Sequence, residues 1–111
     1  MELINFSDFS KIQMAVGTIM HAEPFLKAKK PAYILTIDFG KFGIKKSSAQ
    51  ITKLYSCDVL VGKQIVAVIN FPKKQIANVM SECLVLGVAD DIGNVVLLTP
   101  DFKTENGLSI S

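Results

Sequence analysis

The stretch Gln64-Ile65-Val66-Ala67-Val68-Ile69-Asn70-Phe71-Pro72-Lys73-Lys74-Gln75-Ile76 decides how the chain is read. Its first six residues are nearly all apolar and rich in β-branched side chains, the composition of a strand buried on both faces or closed into a small barrel. Pro72 has no backbone N–H for the next ladder position, so the strand ends near Asn70, and Lys73 and Lys74 fall where the chain leaves the sheet. On the far side, Glu82-Cys83-Leu84-Val85-Leu86-Gly87-Val88 reads as another strand. Two strands that deliver a doubly charged loop to one rim make a binding edge. A solvated hairpin loop has the same composition, and spacing alone leaves both readings open.

Upstream, residues 7–13 predict a short helix capped by Ser7 or Asp8, with Phe9 and Ile12 on one side as a lid on the core. Residues 14–23 read as a long strand in which Gly17 marks a bend or bulge, and Pro24 ends or displaces it. Residues 26–31 are a charged connection. In residues 32–39, Tyr33, Leu35, Ile37 and Phe39 share one face, and Gly40 to Gly43 turn the chain into a third strand over 44–51 with an unusually polar face. Residues 52–58 predict a helical turn. Downstream, residues 90–94 make a turn, 95–98 a strand that stops at Pro100, and Asn106-Gly107 a tight turn before Leu108-Ser109-Ile110. Three meandering strands, a helical connection and two more strands is the order of an oligonucleotide- and oligosaccharide-binding (OB) barrel. The fold class expected is all-β: a five-stranded OB-fold barrel with a short N-terminal helix and added C-terminal strands, residues 1–111 forming one domain.

Half of the 111 residues are apolar and a fifth are charged, which excludes a disordered tail. No apolar run approaches the ~20 residues that span a bilayer, and Met1-Glu2-Leu3-Ile4-Asn5 carries acid where a signal peptide carries base, so a cytoplasmic protein without membrane insertion is expected. The net charge of +2 is unevenly divided. Residues 24–75 carry ten lysines against Asp38 and Asp58, a balance of +8, while the segments on either side are acidic. Every basic residue is lysine, a flexible point charge suited to phosphate contacts; arginine's bidentate reading of base edges is absent. A basic face of this kind would recognise a polyanion by shape and backbone.

The residues offer no catalytic constellation. His21 is the only histidine and has no acid at a telling spacing, Asp90 and Asp91 sit in a turn, and Cys83 lies in an apolar run where a thiol is usually inert. Two cysteines and one histidine do not supply the roughly four ligands of a tetrahedral zinc site, and without an export signal Cys57 and Cys83 are expected as free thiols. No Gly-Lys-Ser or Gly-Lys-Thr follows a glycine-rich loop. A non-catalytic protein with no metal and no cofactor is expected. At the basic loop, Asn70 and Ser81 can supply hydrogen bonds to a ligand backbone while Glu82 organises the lysines; equally, Ser81 can terminate a strand and Glu82 stand exposed at its end.

Asp8-Phe9 with Lys11-Ile12, Val16-Gly17-Thr18-Ile19, Ile37-Asp38-Phe39-Gly40, Lys46-Ser47-Ser48-Ala49-Gln50-Ile51-Thr52-Lys53, and the run Asn70-Phe71-Pro72…Ile76-Ala77…Ser81-Glu82-Cys83-Leu84-Val85-Leu86-Gly87 resemble the CsaA family. That family lies within the tRNA-binding domains found at the C-terminus of methionyl-tRNA synthetases and in the endothelial monocyte-activating polypeptide. The resemblance covers nearly the whole chain. It implies an OB-fold homodimer with tRNA-binding capacity and, for CsaA-like members, an export-related chaperone that binds unfolded precursor polypeptides. The other reading is a structure-specific tRNA binder with no chaperone role. Carried onto matching positions, the resemblance makes Asn70 and Ser81 ligand-facing residues, Lys73 and Lys74 the basic contacts, and Lys45, Ser47 and Gln50 rim or groove residues. Apolar residues in predicted loops, among them Phe25, Leu26, Phe42 and Phe71, would serve a peptide; equally, any one of them can be a core or dimer contact. The chain departs from the family at Gln13-Met14-Ala15, where Asp-Ile-Arg is common, and at Asn78, where glycine is common and the left-handed backbone region is expected.

Overall fold

The computed structural model describes all 111 residues. Asn5 opens the first helix, α1 (Phe6–Ser10): its side chain accepts the Asp8 N–H at 3.0 Å while the Asp8 carboxylate accepts the Asn5 N–H at 3.3 Å. The cap therefore sits at Asn5, with Asp8 as its reciprocal partner. The expected lid is also corrected. Five residues are little more than one turn, and none of them is buried.

Strand β1 (Met14–Pro24) runs to the proline and is the centre of the sheet, pairing antiparallel with β2 (Tyr33–Asp38) on one side and with β4 (Gln64–Val68) on the other. The irregularity in β1 lies between Ile19 and His21, at Met20. Gly17 is there for a different reason than a bend: a Cβ on it would sit 2.7 Å from both Ile37 Cγ2 and the Phe39 ring, so only glycine lets those side chains close over the strand. After β2, Gly40 and Gly43 take positive φ around a single 3-10 turn and deliver β3 (Ile44–Ala49). The helical turn α2 (Cys57–Leu60) comes a few residues later than the sequence suggests and drives Leu60, fully buried, into the barrel.

Beyond β4 the sequence reading missed an element. Residues 74–81 form a small hairpin, β5 (Lys74–Ile76) and β6 (Val79–Ser81), joined by Ala77 and Asn78. The left-handed residue is Ala77, with φ of 50°, and not Asn78. The single strand expected over 82–88 is divided into β7 (Leu84–Val85), which pairs with β4, and β8 (Gly87–Ala89), which pairs with β9 (Val95–Leu97). Leu86 is the point of transfer: its N–H donates to Val66 O and its carbonyl accepts from Leu98 N.

The five-stranded order is β3-β2-β1-β4-β7, and the barrel is nearly closed, with Glu82 bridging to its outer strand β3. The Glu82 N–H donates to Lys46 O at 2.8 Å, and the Glu82 carboxylate accepts Lys46 N–H at 3.0 Å, so one residue supplies both halves of the missing ladder step. The face predicted for β2 is the core face: Leu35, Ile37 and Phe39 are fully buried with Ile19, Leu60 and Ile65, and Tyr33 packs against them. A second, smaller cluster of Phe25, Ala32 and Ile34 receives Ile76 and Val79 from the β5–β6 hairpin. That cluster fixes the hairpin beside the 26–31 connection.

Candidate ligand-binding groove

Two hollows meet beside the hairpin. One, of about 650 Å³, is lined by Lys27, Lys29, Lys30 and Lys74 with Gln50 and Gln75 among the others, and no acidic residue lines it. The second, of about 380 Å³, is lined by Phe71, Pro72, Ile76 and Leu84 with Ser48, Ser81, Cys83 and Lys74. Ser48, Lys74 and Ile76 belong to both, so the hollows form one groove with a lysine half and an apolar half. None of the four lysines is in an ion pair. Their uncompensated charge is available to a phosphate chain.

The expected site residues divide into three groups. Lys74, Ser81 and Gln50 lie in the groove. Ser81 Oγ accepts the Ser48 N–H at 3.3 Å, which ties β6 to the free edge of β3. Asn70, Lys73 and Glu82 surround the groove without lining it. Both ends of the Asn70 amide are engaged, Oδ1 accepting Gln13 N–H at 3.0 Å and Nδ2 donating to Lys11 O at 2.8 Å, so it fastens the loop to the segment before β1. Lys73 Nζ lies 3.5 Å from Glu82 Oε2, which balances much of its charge. The third group faces inward. Ser47 is only 1% exposed and its hydroxyl donates to Cys83 O at 3.0 Å, while half-buried Lys45 stands on the same side of β3, in register with Ile37. An expected groove contact at Ser47 is thus corrected: its hydroxyl is spent inside the barrel, and Ser48 takes the place at the rim.

Lys27, Lys29 and Lys30 belong to the basic middle of the chain, but the sequence does not single them out as site residues. What brings them to Lys74 is the cluster of Phe25, Ala32 and Ile34, against which Ala28 packs from the connection and Ile76 and Val79 from the hairpin some fifty positions away. The available signal was the apolar flank of that connection, Phe25 before the lysines and Ala32 after. Of the apolar loop residues, Phe25 is core, Phe42 packs on the core, and Phe71 and Leu26 stand exposed.

Burial pushes the Cys83 thiol up to about 11, the Ser47 hydroxyl opposing and the Glu82 charge adding to the rise. At neutral pH it is an uncharged thiol, and no nucleophile of the thiolate kind is present there.

Residues 14–109 match the family model described as "Putative tRNA binding domain". The chain belongs to this family of tRNA-binding domains. It is 33% identical over 109 residues to a methionine–tRNA ligase of Methanococcoides burtonii, covering 98% of this chain and 16% of the ligase. The chain thus spans a small fraction of the curated relatives it matches. Among solved structures, chaperone CsaA from Bacillus anthracis superposes with a TM-score of 0.94 at 51% identity, covering 99% of this chain and 100% of that one. A CsaA chaperone protein from Picrophilus torridus gives 0.91 at 53% identity, covering 98% and 100%. The protein is CsaA-like within the tRNA-binding domains, a family of binding modules not themselves catalytic. No helix is long and apolar enough to cross a membrane.

Proposed function

We propose that the groove binds tRNA through its phosphate backbone, and that Lys27, Lys29, Lys30 and Lys74 are the contacts. The observation that carries this is four lysines around one hollow with no acid among its lining residues. Lysine without arginine suits contact with backbone and shape more than reading of base edges. Each phosphate neutralised releases condensed counterions, so log affinity should fall against log salt with a slope of roughly −0.7 to −0.9 per contact. A salt series with tRNA tests it. A slope near zero removes the proposal.

The apolar half supports a second reading, the holding of unfolded precursor polypeptides in a CsaA-like, export-related chaperone role. Phe71 and Leu84 are 56% and 49% exposed at its mouth, apolar surface that an extended segment could cover. Titration with a reduced, unfolded precursor tests this one, and absence of binding where tRNA binds well ends it. Pairing of two copies through the apolar N-terminal segment and C-terminal tail is part of the same proposal, because a second groove would lift weak lysine contacts by avidity. The whole chain is proposed to act as a single domain in the cytoplasm.

A further inference from the structure

Resting on the tRNA reading of the groove, we infer that its apolar half is a pocket for one unpaired nucleotide, whose base stacks on Phe71 while the neighbouring phosphates run onto the lysines. Phe71 is exposed and belongs to neither hydrophobic cluster, so its ring is not spent on the core. It is nonetheless held: Asn70 before it is fastened by two hydrogen bonds, and Pro72 after it confines Phe71 to extended backbone. An aromatic side chain presented on a fixed backbone beside a hollow of about 380 Å³ offers one flat platform. Lys74 lines both hollows, so a chain leaving the pocket passes directly onto positive charge.

Two hydroxyls at the junction are unspent. Ser81 Oγ accepts from Ser48 N–H, but its own proton donates to nothing, and the Ser48 hydroxyl makes no hydrogen bond. They are donors placed for the polar edge of a base. A paired base keeps its faces inside the stack and cannot reach such a platform, whereas a splayed one presents its face with a charged phosphate on either side. An apolar peptide could fill the pocket, yet it would leave the adjoining lysines without a counterpart. Charge complementarity therefore favours the nucleotide.

The chain contains no tryptophan, so Phe71→Trp places one fluorescent reporter at the platform. Titration with a short oligoadenylate should quench it, and a blunt RNA duplex of the same length should not. In the parent background, Phe71→Ala should weaken oligoadenylate binding by roughly fivefold to a hundredfold, the range for loss of one aromatic–base stack. Phe71→Leu, which keeps apolar surface but has no ring, should lose nearly as much, and duplex affinity should hold in both. The pocket is overturned if Phe71→Leu binds oligoadenylate like the parent, if duplex and single strand weaken together, or if an uncharged apolar peptide perturbs the reporter where oligoadenylate does not. Loss of the underlying reading looks different: the unaltered protein would then fail to bind intact tRNA at low salt.

Discussion

Lys73 and Lys74 are neighbours in the sequence with unequal surroundings. Lys73 faces Glu82 at 3.5 Å and lies outside the groove, whereas Lys74 lines both hollows and has no acidic partner. The pair joins an exposed lysine to a partly buried glutamate, and it lowers the charge Lys73 can offer a phosphate. Lys74→Ala should therefore weaken tRNA binding more than Lys73→Ala and reduce the salt slope by about one phosphate, roughly 0.7 to 0.9, in filter-binding titrations. Equal losses would contradict the division of labour. Cys83 gives a second expectation at this scale. Its folded thiol titrates at about 11 against an ordinary 9.0, so in between the folded chain keeps a proton that the unfolded chain releases. Stability is then full below about pH 9 and falls as the pH rises toward 11, by an amount on the order of 2 kcal/mol. Denaturant midpoints measured across that window should fall for the parent, and the Cys83 contribution to the slope should vanish in Cys83→Ala.

Elements differ in how openly the sequence declares them. β1 and β2 were legible because each turns one apolar face to a single core over six or more residues, a pattern that period-two reading detects, and β4 because its run is β-branched and almost continuously apolar. The β5–β6 hairpin was not, because strands of three residues are too short to show a period and Ala77 is not a usual turn residue at positive φ. Ser47 misled for a related reason. Its inward orientation follows from pairing with Leu35, and nothing apolar at its own position announces it. The candidate site was legible in its motif residues, Lys74, Ser81 and Gln50, and illegible in Lys27, Lys29 and Lys30, whose place depends on the distant packing of Phe25 with Ile76. That packing can be tested as an element. Ile76→Ala should loosen the hairpin against Phe25 and Ile34, raising hydrogen exchange of amides 74–81 while amides of β1 and β4 keep their protection. Binding of tRNA should weaken with it, since Lys74 would lose its fixed position. If affinity is untouched while exchange rises, the hairpin does not organise the groove.

Over the whole molecule, a further apolar surface lies outside the groove. The lysine groove lies beside the hairpin, while a hollow of about 190 Å³ is lined by Phe6, Phe9, Ile12, Met14 and Ile110 with serines and Gln13 and no charged side chain. Leu3 and Ile4 stand 90% and 68% exposed next to it in sequence, and the bridge between Ala15 and Ser109 holds the tail against β1 so that Ile110 shares the hollow with Phe6. A patch of this kind is costly to leave in water, and a second copy of the same patch would cover it. In the proposed pair, Phe6→Ser combined with Ile12→Ser should shift the parent dimer to a monomer by light scattering without unfolding it, because both side chains are substantially exposed and outside the core. Dissociation separates two contributions that a paired molecule confounds. A short oligonucleotide occupies one groove and should bind monomer and dimer alike, whereas tRNA, large enough to meet two grooves, should lose at least about tenfold with the avidity. A parent protein already monomeric at working concentration would remove the pairing, and an unchanged tRNA affinity after dissociation would show that one groove carries the whole interaction.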